Sequence, residues 1–184
     1  MKYSNVVVAG GGVLGSQIAF QAAYCGFNVT IWLRSEGSIG RTQPKIDHLK
    51  QTYIEAIEKM AEDKNAWCAG LADEDTFDKE ECLKKVENAY ANLKLELDMA
   101  KAVADADLVI ESMAENEKDK IAFYEKLSSL LPEKTVIVTN SSTLLPSMFA
   151  KYTGRPDKYL SLHFANSIWK NNTAEVMTQA QTDE

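Results

Sequence analysis

The pattern of apolar and polar positions along the chain predicts alternating strands and helices. Short apolar runs rich in β-branched residues occupy residues 6–9, 28–33, 108–112 and 135–139, as expected for parallel strands that are buried on both faces. Between these runs, apolar residues recur every three or four positions, which is the period of an amphipathic helix. Strands that alternate with helices in this way indicate an α/β fold with a doubly wound, mainly parallel sheet.

Two longer helical segments interrupt this alternation. Residues 35–42 are expected to be a loop, after which Pro44 starts a long helix at a position that tolerates its missing N–H. The acidic stretch 63–76 is expected to be a second loop, and residues 78–90 a second helix. Together they predict a helical hairpin, over about residues 43–92, that projects from the sheet. The apolar stripe of its first helix consists of Ile46, Leu49, Tyr53, Ile57 and Met60.

The strand and helix alternation resumes after this hairpin. Asn116 is expected to cap a helix that Pro132 ends. The chain has 184 residues, enough for one domain with a sizeable core, and residues 1–184 are interpreted as that domain. The remaining predicted elements are strands at residues 93–97, 159–164 and 174–177, and helices at residues 99–104 and 117–130.

A glycine-rich turn follows the first predicted strand, in the stretch VVVAGGGVLGSQIAF. Gly10, Gly12 and Gly15 have the spacing G-x-G-x-x-G, in which the first glycine permits a tight turn, the second lets the backbone approach a pyrophosphate, and the third lets the helix pack closely on the strand. The free N–H groups of that helix would face the phosphates. Because the motif lies inside a βαβ unit of about 30 residues, a Rossmann-type dinucleotide site is favoured over a glycine turn without a ligand.

The composition excludes several classes of partner. A net charge of −7 and a pI of about 5.0 argue against nucleic acid or an anionic membrane. No apolar run approaches the ~20 residues of a membrane span. Because the predicted first strand begins almost at once, we expect no signal peptide. Cys25, Cys68 and Cys82 form no C-x-x-C pair, so we expect reduced thiols and a cytoplasmic protein.

The candidate chemistry follows the carboxyl ends of the strands, where ligands bind in open α/β sheets. If residues 159–164 and 174–177 fold back on each other, His163 and Glu175 face each other across the pair. A carboxylate beside an imidazole fixes its tautomer and suits it to move a proton on and off an alcohol. The alternative is a core histidine without a chemical role. His48 is expected to lie on the surface, no cluster of metal ligands is visible, and SST lacks the G-x-S-x-G context of a hydrolase.

Five short motifs in register carry a family resemblance over nearly the whole chain. GGGVLGSQIAF, ENEKDK, TNSSTL, LHFAN and NTAEVM together resemble the 3-hydroxyacyl-CoA dehydrogenase family, and most of all its diketoreductase-like branch. The resemblance implies an N-terminal Rossmann domain of an oxidoreductase of fatty acid metabolism. Such an enzyme uses NAD to interconvert a 3-hydroxyacyl substrate and its ketone. The family's fourth catalytic residue, its dimer contacts and much of its substrate pocket come from a C-terminal helical domain, which the resemblance leads us to expect outside residues 1–184.

The resemblance also implies roles for particular residues. By motif match, the family's catalytic serine, histidine and glutamate fall on Ser142, His163 and Glu175. Leu33 and Arg34, at the end of the second strand, complete the predicted cofactor site. The family's own cofactor contacts fall on Gly10, Gly11, Gly12, Val13, Leu14, Gly15, Glu115, Lys120, Ser142 and Asn166.

Two departures from the family pattern leave the ligands open. Leu33 stands where the family has an acid that binds the adenosine ribose, and Arg34 beside it suits a phosphate, so NADP is expected to be accepted. The family's CoA contacts have no residue-by-residue match, so a CoA thioester is in doubt, and either a small acyl-CoA or a diketone is expected as the substrate. The alternatives are a dinucleotide-binding fragment without turnover and a structural, crystallin-like relative; an FAD site is less favoured. Without the helical domain, self-association or a homodimer is expected.

Overall fold

The fold is built on a seven-stranded sheet, which a computed structural model describes over residues 3–183. The order across the sheet is β3-β2-β1-β4-β5-β6-β7; β6 and β7 pair antiparallel, and the other neighbouring strands run parallel. The predicted doubly wound, mainly parallel sheet is therefore confirmed. The strands are β1 (Asn5–Ala9), β2 (Asn28–Trp32), β3 (Lys94–Glu96), β4 (Leu108–Glu111), β5 (Val136–Thr139), β6 (Tyr159–Phe164) and β7 (Ala174–Met177).

Helices cover both faces of this sheet. Asn116 caps α5 as predicted, because its side-chain oxygen accepts a hydrogen bond from the Asp119 N–H at 3.0 Å. The helices are α1 (Val13–Tyr24), α2 (Glu36–Glu62), α3 (Lys79–Asn92), α4 (Met99–Val103), α5 (Glu117–Ser128) and α6 (Ile168–Asn171). Short 3₁₀ turns lie at Lys64–Ala66, Glu74–Thr76, Pro146–Met148, Ala150–Tyr152 and Pro156–Lys158. Within residues 3–183, no helix combines the length and apolarity needed to cross a bilayer.

The start of α2 corrects one prediction. The helix begins at Glu36, so residues 35–42 are mostly helical and Pro44 lies inside the helix instead of at its start. Thr42 is almost fully buried, and its hydroxyl donates to the carbonyl oxygen of Gly11 at 3.2 Å. Packing of this first part of α2 on the glycine turn thus outweighs the local cost of a proline within a helix.

The helical hairpin is present, but it begins earlier than predicted and packs along α1. The Tyr53 hydroxyl donates to Gln21 Oε1 at 2.5 Å, and the Tyr24 hydroxyl donates to the Leu71 carbonyl at 2.9 Å. Because the hairpin covers α1 on the side away from the sheet, Tyr24 is buried, whereas its neighbour Cys25 is exposed. The hairpin thereby fixes α1 and the glycine turn that precedes it.

Candidate functional site

The glycine turn leaves open space where a pyrophosphate is expected. Gly10 has a φ of +119°, and a Cβ added there would lie 2.5 Å from the carbonyl oxygen of Ser112. A Cβ at Gly15 would collide with the carbonyl oxygen of Gly10. At Gly12, by contrast, an added Cβ would meet no described atom within 4 Å. The turn is therefore tight at Gly10, closely packed at Gly15 and open at Gly12, which is what the motif's expected roles require.

A cavity of about 370 Å³ extends from this turn towards the end of β2. Leu33 lies on its wall and is 3% exposed, so its side chain offers a ribose no polar group. The Arg34 guanidinium forms an exposed ion pair with Asp119 at 3.3 Å. Arg41 and Lys45, on the first turns of α2, also line the cavity. These two cations were not predicted as site residues, because α2 begins at Glu36 and not, as predicted, at Pro44.

A buried carboxylate lies under the opposite half of the strand edge. Glu111, the last residue of β4, is fully buried, and both of its oxygens accept hydrogen bonds from Lys120 Nζ at 2.7 Å. Thr139 Oγ1 donates to it at 2.7 Å, the Met113 N–H at 2.7 Å and the Tyr124 hydroxyl at 3.1 Å. A buried charge is tolerated only when it is paired and fully hydrogen-bonded, as here.

This network also determines the state of Tyr124 and the place of Lys120. Burial, together with the nearby charge of Glu111, raises the pKa of Tyr124 well above its usual range, so Tyr124 remains a neutral donor. Lys120, predicted as a cofactor contact, is fully buried in its ion pair with Glu111. Its Nζ also lies 3.9 Å from Glu115 Oε1. Direct contact between Lys120 and a cofactor stays a prediction.

The loop after β5 holds Ser142 at the surface between two anchored neighbours. Ser141 is buried and donates to Glu115 Oε2 at 2.6 Å, and Thr143 Oγ1 donates to the same oxygen at 3.2 Å. Ser142 is exposed. Asn140 joins this loop to the next strand, because its Oδ1 accepts the Phe164 N–H at 2.9 Å. Ser142 therefore follows the strand beside the one that carries His163.

His163 and Glu175 face each other across the antiparallel pair, as the sequence pattern predicted. They are register partners in β6 and β7, and His163 Nδ1 lies 3.5 Å from Glu175 Oε2. The histidine side chain is 28% exposed and the glutamate side chain 69% exposed. Because Nδ1 faces the carboxylate, the second ring nitrogen of His163 is left for another partner.

The segment that links these two strands is tied to the glycine helix. Asn166 is exposed, and its carbonyl oxygen accepts from Asn171 Nδ2 at 2.7 Å. Ser167 adopts a left-handed conformation, and its N–H donates to Gln17 Oε1 on α1 at 2.9 Å. Glycine turn and His163 strand are thus fixed relative to each other. Within residues 3–183, no group of three or more His, Cys, Asp and Glu side chains is arranged to hold a metal ion.

Comparison with known proteins identifies the family. The model for "3-hydroxyacyl-CoA dehydrogenase, NAD binding domain" matches residues 5–184. Mitochondrial hydroxyacyl-coenzyme A dehydrogenase of Rattus norvegicus is 29% identical over 180 residues, which are 98% of this chain and 52% of the relative. The 3-hydroxybutyryl-CoA dehydrogenase of Clostridioides difficile is 28% identical over 182 residues, with 98% and 56% covered. The chain thus spans about half the length of the curated relatives it matches.

A solved structure is similar over the same extent. The structure of a diketoreductase, concerned with substrate-directed dual catalysis of dicarbonyl compounds, has a TM-score of 0.82 and 42% sequence identity. The match covers 98% of this chain and 56% of that one. With the family model over nearly all residues, the motifs in register and the Rossmann sheet, the conclusion is direct: this chain belongs to the 3-hydroxyacyl-CoA dehydrogenase family of oxidoreductases and corresponds to its NAD-binding domain.

Proposed function

We propose that this chain binds a nicotinamide dinucleotide and supplies the acid–base half of a site that interconverts a secondary alcohol and its ketone. The observation that carries the proposal is the pairing of His163 with Glu175 at the carboxyl edge of the sheet that bears the glycine turn. The family match supports the cofactor class. Hydride transfer with such a cofactor requires a group that moves the alcohol proton, and this dyad is suited to that step.

Each polar residue of the site has a part in the proposed reaction. In oxidation, the free ring nitrogen of His163 accepts the hydroxyl proton, and in reduction it returns that proton to the carbonyl oxygen. Glu175 orients the ring through Nδ1 and stabilises the imidazolium. Ser142 donates a hydrogen bond to the substrate oxygen. When bound, the nicotinamide accepts or supplies the hydride. Acid–base assistance of this kind contributes ~10²–10⁴-fold in rate.

Exposure of the dyad favours a second candidate for the isolated chain, namely dinucleotide binding with little turnover. Glu175 is 69% exposed, and its separation from His163 is 3.5 Å, which is long for a catalytic hydrogen bond. Water around these groups weakens their interaction, and such bonds tighten when a site closes over its substrate. We therefore propose that turnover needs further protein surface over His163.

The substrate class follows from the relatives. Identity to the diketoreductase is 42%, whereas identity to the acyl-CoA dehydrogenases named above is 28–29%. We propose a small dicarbonyl compound or its hydroxyketone as substrate, with CoA not required for recognition. Acetoacetyl-CoA is the natural comparison substrate.

The cofactor's ribose is proposed to be read by cations. Leu33 offers no acceptor for a ribose hydroxyl, whereas Arg34, Arg41 and Lys45 line the same cavity. Positive charge at this end of the cleft favours the 2′-phosphate of NADP. It does not exclude NAD, which carries a neutral hydroxyl at the same position. We propose that NADPH is accepted beside NADH.

The acid–base assignment is tested by rates of the intact protein with a diketone or acetoacetyl-CoA and reduced cofactor. His163→Ala is expected to lower kcat by ~10²-fold or more, and Glu175→Gln by a smaller factor. His48→Ala is the matched control. It removes the second histidine of the chain, which is exposed on α2, and is expected to keep the wild-type rate. Unchanged turnover in His163→Ala would overturn the assignment. Tight cofactor binding without turnover would support the second candidate. A protein that neither binds the cofactor nor turns over the substrate would be a structural relative.

A further inference from the structure

The Glu115 carboxylate accepts a hydrogen bond from each of the two residues that flank Ser142. A single carboxylate oxygen, Oε2, accepts from Ser141 Oγ at 2.6 Å and from Thr143 Oγ1 at 3.2 Å. The two bonds span the residue between them, so the backbone of Ser142 is held at both ends. We propose that Glu115 is a positioning residue that fixes Ser142 for its contact with the ligand through the hydroxyls of Ser141 and Thr143.

The carboxylate of Glu115 is itself held from the core. Its other oxygen lies 3.9 Å from Lys120 Nζ, and that ammonium is bound to the buried Glu111 by two bonds of 2.7 Å. Lys120 is fully buried, so the positive charge that faces Glu115 cannot swing into solvent. Glu115 is therefore placed between a fixed cation and two hydroxyl donors.

The loop contains few other constraints on Ser142. Ser141 anchors its own segment twice more, since its N–H donates to Thr139 Oγ1 at 3.1 Å and its Oγ accepts the Leu144 N–H at 3.0 Å. The part of the chain that the structure describes contains no side-chain hydrogen bond from Ser142 itself. The position of Ser142 thus depends on its neighbours, whose hydroxyl groups share the Glu115 carboxylate as their acceptor.

The functional part of this inference rests on the proposed function. The glycine turn takes the pyrophosphate and the end of β2 the adenosine, so the nicotinamide half lies over the ends of β4 and β5. Glu115 follows β4, and Ser142 follows β5. Loss of the two hydrogen bonds to Glu115 is expected to weaken the binding of ligands that contain the nicotinamide. It should leave the affinity for ligands that end at the ribose next to the pyrophosphate nearly unchanged.

Amide hydrogen exchange in the ligand-free protein tests whether the hydrogen bonds to Glu115 hold the loop that contains Ser142. Glu115→Ala is expected to make the segment of residues 140–145 exchange about tenfold faster, because a charge-assisted hydrogen bond that limits local opening is lost. The double variant Ser141→Ala/Thr143→Val should accelerate exchange at least as much, because it also removes the acceptor of the Leu144 N–H, and adding Glu115→Ala to it should change the rate less than about twofold. Glu125→Ala, an exposed glutamate on α5, is the matched control. An unchanged exchange rate in Glu115→Ala would show that Glu115 does not hold this loop. Additive accelerations from Glu115→Ala and the double variant in the triple variant would show the same.

The consequence for the ligand is tested by titration with NADH and with ADP-ribose, which lacks the nicotinamide. Glu115→Ala and the double variant are each expected to weaken NADH by about five- to tenfold and ADP-ribose by less than about twofold. Thr143→Ser, which keeps the hydroxyl, should retain more NADH affinity than Thr143→Val. A loss in Glu115→Ala that the hydroxyl variants do not share would overturn positioning in favour of direct contact. If the wild type binds neither ligand, the proposed function fails. Hydrogen exchange then still tests whether Glu115 holds the loop that contains Ser142.

Discussion

Asp107 fixes the N-terminal end of the sheet through bonds to two segments far away in sequence. Its Oδ2 accepts the N–H groups of Ser4 and Asn5 at 2.8 and 2.9 Å, and its Oδ1 pairs with Lys134 Nζ at 2.5 Å. The hydrogen bonds from Lys134 and from the two backbone N–H groups hold the pKa of this carboxyl well below its usual range.

Acid should therefore remove a stabilising contribution of Asp107. A carboxyl with a lowered pKa in the folded state stabilises the protein fully above its unfolded pKa of about 3.9, and this contribution disappears as the pH falls towards the folded pKa. Asp107→Asn is expected to lower the free energy of unfolding at pH 7 and to lose less stability than the wild type between pH 5 and 2. Urea titrations at both ends of that range measure this. Asp105→Asn, an exposed neighbour, serves as control; equal acid sensitivity in Asp107→Asn and wild type would contradict the account.

Arg34 should decide how the 2′ position of the cofactor is read. A charge-assisted contact is worth about 1.5–3 kcal/mol, so Arg34→Ala is expected to weaken NADPH about tenfold or more and NADH much less. The readout is the ratio of the two dissociation constants, from the fluorescence of the reduced nicotinamide. Lys59→Ala, an exposed cation further along α2, should leave the ratio unchanged. NADH binding far tighter than NADPH in the wild type, with a ratio that Arg34→Ala does not move, would show that Arg34 has no such role.

The placement of some candidate site residues could be predicted from the sequence, and that of others could not. His163 and Glu175 were predictable because the register of an antiparallel pair follows from the positions of two short strands. Glu111 was missed, since its partners Lys120 and Tyr124 come from a helix and nothing in the sequence ties a strand-end glutamate to them. A buried polar residue at the end of an apolar strand was the available signal, because such a group needs paired donors nearby.

At the scale of elements, α2 shows how packing overrides local preference. Gly37, Gly40 and Pro44 lie within the first turns of the helix, although all are poor helix formers. Local pattern predicted the later apolar stripe, whose residues are all buried. It could not predict the start at Glu36, because that start depends on the contact of Thr42 with the glycine turn, which is distant in sequence.

Pro44 should therefore still cost stability. It lacks the N–H that would donate to the carbonyl oxygen four residues earlier, so Pro44→Ala is expected to raise the free energy of unfolding by about 2 kcal/mol. Part of the gain is offset because proline also restricts the unfolded chain. Chemical denaturation of Pro44→Ala measures the change, with Gln51→Ala, an exposed position of the same helix, as control. No gain, or a loss, in Pro44→Ala would mean that α2 is not a continuous helix across this residue.

At the scale of the whole molecule, an apolar face and an exposed edge lie side by side. A cavity of about 530 Å³ beside α1 is lined by Leu108, Leu162 and Phe164, which are only partly buried. The strand β7 forms one edge of the sheet and exposes Val176 and Met177. Exposed apolar surface next to an unpaired strand edge favours contact with a second copy.

We propose that the 184-residue chain self-associates through this face and edge. Its sedimentation coefficient should rise with protein concentration, and Leu162→Asp should reduce the rise by placing a charge in the apolar cavity. Gln51→Asp, an exposed position on α2, adds the same charge elsewhere and should leave the association unchanged. A strict monomer at high concentration would contradict this proposal.

The measurement that tests the account most directly is the affinity of Gly12→Val for NADH. Gly12 has φ −69° and ψ −174°, which any residue adopts, and a Cβ there meets no described atom within 4 Å. The variant should therefore still fold, with a loss of about 1 kcal/mol because Gly12 is the N-cap of α1, where valine is less favourable than glycine. Its side chain would occupy the space through which the backbone approaches the pyrophosphate, so NADH should bind at least about tenfold more weakly. Gly40→Ala, which also adds a Cβ in open space, should bind normally. Equal NADH affinity in Gly12→Val and wild type, or no binding by the wild type, would contradict a dinucleotide site at this turn.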